Sequence, residues 1–98
     1  MQENRAHFEL EDGKSEADQE VYKRDRDIGW IHGQVDSDNA EMDIVITDMV
    51  GNPQHTLKGV KFSNKRFGQR IDLPLTDNYC RIRVENVRNA KNFDIFVE

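Results

Sequence analysis

The 98-residue chain predicts an all-β protein, an antiparallel β-sandwich of seven to eight strands. Two observations carry this. Short runs of alternating apolar and polar residues recur between turn signals such as Asp36-Ser37-Asp38-Asn39 and Gly51-Asn52-Pro53. No run of useful length carries the 3.6-residue apolar period of an amphipathic helix.

Ala6 to Glu11 alternates weakly and reads as a first, edge strand, with Gly13 marking the turn after it. Residues 1–5 are expected as a flexible tail, and 1–98 as a single domain. Ser15 to Asp18 is polar and reads as a loop; Glu20 to Arg24 follows as a strand anchored by Val21 and Tyr22. Ile28 to Val35 alternates strictly, which places Ile28, Trp30, His32 and Gln34 on one face. Its two glycines predict a bulge or a close backbone approach. Met42 to Met49 has the strongest strand pattern, with Met42, Ile44 and Ile46 sharing a face. Gly51-Asn52-Pro53 breaks it, since Gly51 supplies positive φ and Pro53 cannot donate to a ladder.

Gln54 to Leu57 reads as a short return strand. Val60 and Phe62, then Phe67, Ile71 and Leu73, give two more around the polar tip Ser63 to Arg66. Tyr79 to Glu85 turns Cys80, Ile82 and Val84 inward and Arg81 and Arg83 outward. Tyr79 suggests a hydroxyl bond to a nearby loop in the manner of a tyrosine corner. Asn86 to Asn89 reads as a turn, and Phe93, Ile95 and Val97 mark the closing strand.

Composition narrows the function classes. Hydrophobic residues make up 36% of the chain and charged residues 34%. That is thin for a globular domain, but the apolar residues cluster in blocks, which separates the chain from the disordered class. No run approaches a membrane span. Gln2, Glu3, Asn4 and Arg5 follow Met1 directly, so no signal peptide is expected at this start. The single cysteine, Cys80, excludes an internal disulfide and a thiolate-based zinc site. Net charge is −5, divided unevenly: residues 1–50 hold 14 acids and 5 bases, residues 51–98 hold 5 acids and 9 bases. The plain expectation is that acidic and basic strands pair within the domain; the sharper one is a two-signed surface that supports association.

Nothing in the chain spells a catalytic site. His7, His32 and His55 lie on separate segments, and Cys80 sits mid-strand, away from the exposed, electropositive setting a reactive thiol needs. Asp36, Asp38, Glu41 and Asp43 are the candidate metal ligands, and calcium is the ion such oxygens suit. The segment lacks the glycine and terminal glutamate of an EF-hand, so a solvated acidic loop is the plainer expectation. Lys61, Lys65, Arg66 and Arg70, with Arg81 and Arg83, are the candidate partner-binding residues. Phe62 and Phe67 alternate inward between these cations, which removes a stacking platform from that hairpin. With the acidic net charge, this argues against nucleic acid as the partner.

Several segments resemble the Golgi-dynamics (GOLD) domain, the lumenal domain of early-secretory-pathway cargo adaptors. His7-Phe8-Glu9-Leu10-Glu11-Asp12-Gly13-Lys14 resembles its opening strand and Gln19 to Lys23 its second. Asp43 to Asp48 with Gly51-Asn52 resembles its central strand and turn, Asn78 to Ile82 its late Tyr/Cys strand, and Phe93 to Val97 its closing strand. The resemblance implies a protein-interaction domain for cargo or sister subunits in protein transport, in a lumenal or extracytoplasmic location. Its protein partners would assemble with it as homo- or hetero-oligomers, with no membrane contact by this segment. The family's first cysteine is missing here: the region of Glu16 and Ala17 holds none. Asp43 to Asn52 and Tyr79 to Asn86 are equally similar to bacterial pre-peptidase C-terminal domains. That resemblance implies an accessory module of a secreted protein that binds calcium or substrate. A structural subunit of a larger assembly is the third expectation, resting on the charge asymmetry alone.

Overall fold

A computed structural model describes residues 4–98. It contains eight strands: β1 (Arg5–Glu9), β2 (Ala17–Tyr22), β3 (Ile28–Val35), β4 (Glu41–Thr47), β5 (Pro53–Lys61), β6 (Arg66–Leu73), β7 (Tyr79–Arg88) and β8 (Asn92–Val97). They form two four-stranded antiparallel sheets, ordered β1-β8-β3-β6 and β2-β7-β4-β5. No helix among the described residues is long and apolar enough to cross a membrane.

The order has a simple origin. β4 pairs with β5, β3 with β6, β2 with β7 and β1 with β8, so the chain is one long hairpin folded at the β4–β5 turn. Rolling that hairpin adds the β3–β8 and β4–β7 ladders and splits it into two sheets. This is the strand order of a jelly roll. Asp48 holds the central turn: its carboxylate accepts from the backbone N–H of Val50 and Asn52 and from the Asn52 amide, at 2.8–3.1 Å. Those bonds, with Asn52 N–H donating the largest share, hold the Asp48 carboxyl below its usual range.

The core lies between the sheets and follows the alternation. Phe8, Ile31, Phe93, Ile95 and Val97 of one sheet meet Val21, Met42, Ile44, Ile46, Cys80, Ile82 and Val84 of the other. Each large apolar side chain removed from water contributes about 1.5–3 kcal/mol. A one-residue slip of any strand would expose its whole apolar set, and this holds the register. Phe8 stacks on Phe93 at 5.1 Å, tying the edge strand β1 to β8.

The details depart from the sequence reading at several points. Arg5 belongs to β1 and pairs with Phe96, so the expected tail over residues 1–5 is ordered at its end; residues 1–3 lie outside the described residues. Ala17 and Asp18 are not loop but the start of β2, because they find partners in Val84 and Arg83. Residues 53–61 form one strand, not two. It absorbs a register shift near Gly59, whose φ is +60°. Asn86 is not a turn: β7 runs on to Arg88, and Asn86 sits in the left-handed region at φ 53° beside a register shift against β4. Its amide donates to Asp43, which pins the irregularity. Among the described residues the Tyr79 hydroxyl finds no corner partner; Tyr79 stands 40% exposed on the outer face of its sheet, 5.1 Å from Tyr22.

Opposite charges do pair across β2 and β7. Asp18 lies opposite Arg83, Glu20 opposite Arg81, and Arg81 Nε donates to Asp18 at 2.6 Å. Part of the acidic–basic asymmetry of the two halves is therefore paired inside the rolled hairpin.

Candidate functional site

The outer face of the β1-β8-β3-β6 sheet carries an arrangement that the opposite face lacks. It begins with a bulge in β3. The N–H groups of Gly29 and Trp30 both donate to the carbonyl of Glu98, at 2.7 and 2.9 Å. Two residues on β3 thus oppose one, Glu98, at the end of the neighbouring strand β8, and the register against β6 shifts between Ile28 and Trp30. Ile28 turns into the core, while Trp30, His32 and Gln34 point out. Strict alternation alone had placed Ile28 with them.

Trp30 is 37% exposed, and its indole lies over Gly68 of β6. A Cβ on Gly68 would stand 2.5 Å from Trp30 Cζ2, so only glycine leaves room for the ring there. Gly68 is the cross-strand partner of His32, His32 of Phe96, and Phe96 of Arg5. One rung of the sheet, running across all four strands, therefore reads indole, imidazole, phenyl, guanidinium. The His32 and Phe96 rings are stacked at 4.9 Å and 8° between planes, and the Trp30 and His32 centroids are 6.3 Å apart. His32 Nε2 lies 2.7 Å from Glu98 Oε2, which orients the imidazole.

The next rung is polar: Arg66, Gln34, Asp94 and His7 are successive cross-strand partners. Asp94, its side chain 15% exposed, accepts from Arg5 Nε at 2.9 Å and faces His7 Nδ1 at 2.6 Å. Both contacts use Oδ1, and no described residue donates to Oδ2. Burial pushes the Asp94 carboxyl up, but the bonds and charges of His7 and Arg5 outweigh it and hold it below the usual range. His7 is raised in turn, by Glu9 first and then Asp94. Beyond this rung the sheet ends in a cleft of about 470 Å³, lined by Gln34, Asp94, Arg66, Lys65, Asn64 and Asn92, among others.

The β5–β6 connection builds one wall of that cleft. Ser63 and Arg66 exchange backbone hydrogen bonds, with Asn64 and Lys65 both at positive φ, the pattern of a type I′ turn. Val35 N–H donates to the Lys65 carbonyl, which fastens the tip to β3. Phe62 and Phe67 face inward, edge to face at 4.8 Å, as their alternation required.

The candidate cations divide. Lys65, Arg66 and Arg70 belong to this site, Arg70 lying beside Trp30 as its cross-strand partner. Lys61 lies on the edge strand of the other sheet, opposite Glu41. Arg81 and Arg83 stand on the outer face of that sheet among Asp18, Glu20 and Glu85. The six do not form one surface, because the β5–β6 connection passes from one sheet to the other. The acidic candidates also divide. Asp36 and Asp38 are in the β3–β4 loop, while Glu41 and Asp43 are in β4. Among the described residues no three His, Cys, Asp or Glu side chains come together as a metal site. Asp43 is instead a structural acceptor, bonded by Gly59 N–H at 2.7 Å and the Asn86 amide at 2.9 Å.

Trp30, His32, Phe96, Gln34 and Asp94 were not singled out by chemistry in the sequence. The signal was present: Trp30 and His32 alternate with core residues, and Phe96 interrupts the polar side of the closing strand. What joins them is register across three strands, which no local pattern supplies. The chain matches no family model and no curated protein.

Proposed function

We propose that this chain is a non-catalytic recognition module that holds its ligand on the outer face of the β1-β8-β3-β6 sheet. The observation that carries this reading is the ring cluster formed by the exposed Trp30 and the half-buried, mutually stacked His32 and Phe96 on the outer face of the sheet. An exposed indole beside half-buried rings is an apolar surface that a ligand can remove from water. Cys80, the single thiol, is not available as a nucleophile. It is fully buried, and burial raises it to about 11, far from a thiolate nucleophile at neutral pH.

A ligand on a sheet face suits an accessory binding module of a secreted protein better than main-chain pairing along an edge. A cargo-recognition role like that of the Golgi-dynamics domains uses the same face with a protein as ligand. The test compares wild type with Trp30→Ala and with Tyr79→Ser, which alters the opposite sheet. Each is screened against immobilised glycans, peptides and single-stranded DNA. Binding that Trp30→Ala abolishes and Tyr79→Ser leaves intact is the expected result. Binding that depends on Tyr79, Arg81 or Arg83 but not on Trp30 would move the site to the other sheet and overturn the reading.

A further inference from the structure

We infer that the ligand of this face is a neutral oligosaccharide or polysaccharide, an inference that rests on the recognition reading above. Three features of the face select that chemistry. The first is the geometry of the ring row. Trp30 and His32 are two residues apart on β3, the Trp30 indole reaching over Gly68 of β6, and Phe96 of β8 is the cross-strand partner of His32. His32 and Phe96 stack on each other at 4.9 Å and 8°, so their facing sides are covered, and the platform left for the C–H face of a pyranose ring is the exposed Trp30 indole over Gly68 beside them. The indole is held in place by the glycine beneath it, so little side-chain freedom is lost on binding.

The second feature is the polar rung alongside. Sugar hydroxyls both donate and accept, and are bound by planar side chains that offer fixed donors and acceptors. Gln34 supplies both roles. Arg66 and Arg70 donate, and no described carboxylate pairs with either side chain. Asp94 Oδ2 is ready to accept, while Oδ1 is held by Arg5 and His7. The ring row and the polar row are two residues apart along every strand, so one sugar chain contacts both. The cleft at the end of the polar rung, with Asn64, Asn92 and Lys65 in its walls, takes the substituents that project beyond the sheet.

The third feature is charge. Cations Arg5, Arg66 and Arg70 share the face with anions Glu9, Asp94 and Glu98. Arg5 is consumed by Asp94. A single-stranded nucleic acid stacked on the rings would bring its phosphates against Asp94 and Glu98, without the positively charged groove such binders use. A neutral polyol meets no such penalty. A protein partner would demand a wider dry apolar centre than three rings bounded by charged groups.

Trp30 is the chain's single tryptophan, so its emission reports on the site directly. Wild type is titrated with cellohexaose, chitohexaose and maltohexaose, and separately with a twelve-nucleotide oligo(dT). At least one hexasaccharide is expected to change Trp30 emission saturably. By calorimetry, Trp30→Ala weakens that binding by at least roughly tenfold, the scale of one lost stacking contact. Gln34→Ala, at an exposed position, weakens it several-fold. Tyr79→Ser leaves it unchanged. If none of the hexasaccharides binds, or if Trp30→Ala and Gln34→Ala both bind as wild type does, the inference is wrong. If oligo(dT) or a peptide binds in a Trp30-dependent manner and the sugars do not, the sugar inference fails while the recognition reading stands. Sugar binding that is lost only in Tyr79→Ser removes both.

Discussion

Replacing Lys23 by Met should destabilise this protein more than any other single lysine substitution. Lys23 follows β2 and is only 6% exposed, yet among the described residues its ammonium group makes no salt bridge. Its three N–H donors go instead to three backbone carbonyls: Arg24 at 3.1 Å, Arg26 at 2.8 Å and Leu75 at 2.8 Å. The Lys23 backbone N–H also donates to the Asn78 carbonyl. One side chain therefore fastens the β2–β3 loop to the β6–β7 loop across the end of the sandwich. Hydrogen bonds to a charged group contribute about 1.5–3 kcal/mol each. Burying the ammonium costs several kcal/mol in return, so the net loss in Lys23→Met is about 2–4 kcal/mol. Methionine keeps the unbranched stem, which separates the lost bonds from a lost volume.

For a domain of this size each kcal/mol shifts Tm by about 4–8 °C, which gives an expected fall of roughly 8–30 °C. Urea unfolding followed by Trp30 emission measures the same quantity, with the exposed Lys14→Met as the control that stays within about 0.5 kcal/mol. A Lys23→Met variant as stable as wild type would refute the reasoning. It would mean that desolvation of the ammonium cancels its three bonds and that the loops are held by other contacts.

Gly33→Ala should lose about 1–3 kcal/mol by overpacking. Its Cβ would stand 2.8 Å from Phe67 Cε1 and 2.9 Å from both the Asp94 carbonyl and Ile95 Cδ1. Gly29→Ala, where the nearest atom is 4.0 Å away, should be tolerated; equal Tm values for the two would contradict the packing described. Cys80, buried and raised to about 11, should not react with Ellman's reagent at pH 8 until the protein unfolds. Rapid titration of one thiol in the native state would show an open core. Asp43 and Asp48 are both held below the ordinary 3.8, Asp43 chiefly by Gly59 N–H and Asp48 chiefly by Asn52 N–H. Their contribution is present above pH 3.8 and is lost as pH falls through their lower folded values. The urea midpoint should therefore decline below that pH, and decline less steeply in Asp48→Asn. A decline of unchanged steepness would remove the central turn from the acid response.

The all-β class and the inward sets of most strands were legible locally, because a period of two apolar residues has one solution on a two-layer core. Met42, Ile44 and Ile46, or Cys80, Ile82 and Val84, declare their face without reference to any other strand. The turn at Asp48 to Asn52 was equally legible, since Gly51 and Pro53 admit few backbones there. The two glycines of β3 likewise announced an irregularity, met as the bulge at Gly29 and the close packing at Gly33. Other irregularities were not legible. The continuation of β7 through Asn86 and the start of β2 at Ala17 are set by which carbonyls a neighbouring strand offers. Residues near Asn86 have turn propensity, and the ladder with β4 overrides it.

The candidate site divides the same way. Local pattern determines that Trp30 and His32 face away from a core, that Phe62 and Phe67 face into one, and that Lys65 and Arg66 sit at a tight polar turn. Only the rolled hairpin decides that the indole of Trp30 covers Gly68, nearly forty residues away in sequence, and that Phe96 stacks on His32. It also sends Arg66 and Arg70 to one sheet and Arg81 and Arg83 to the other. The reason is physical: alternation is a property of one strand's backbone, whereas a rung across four strands exists only after long-range pairing has fixed every register at once.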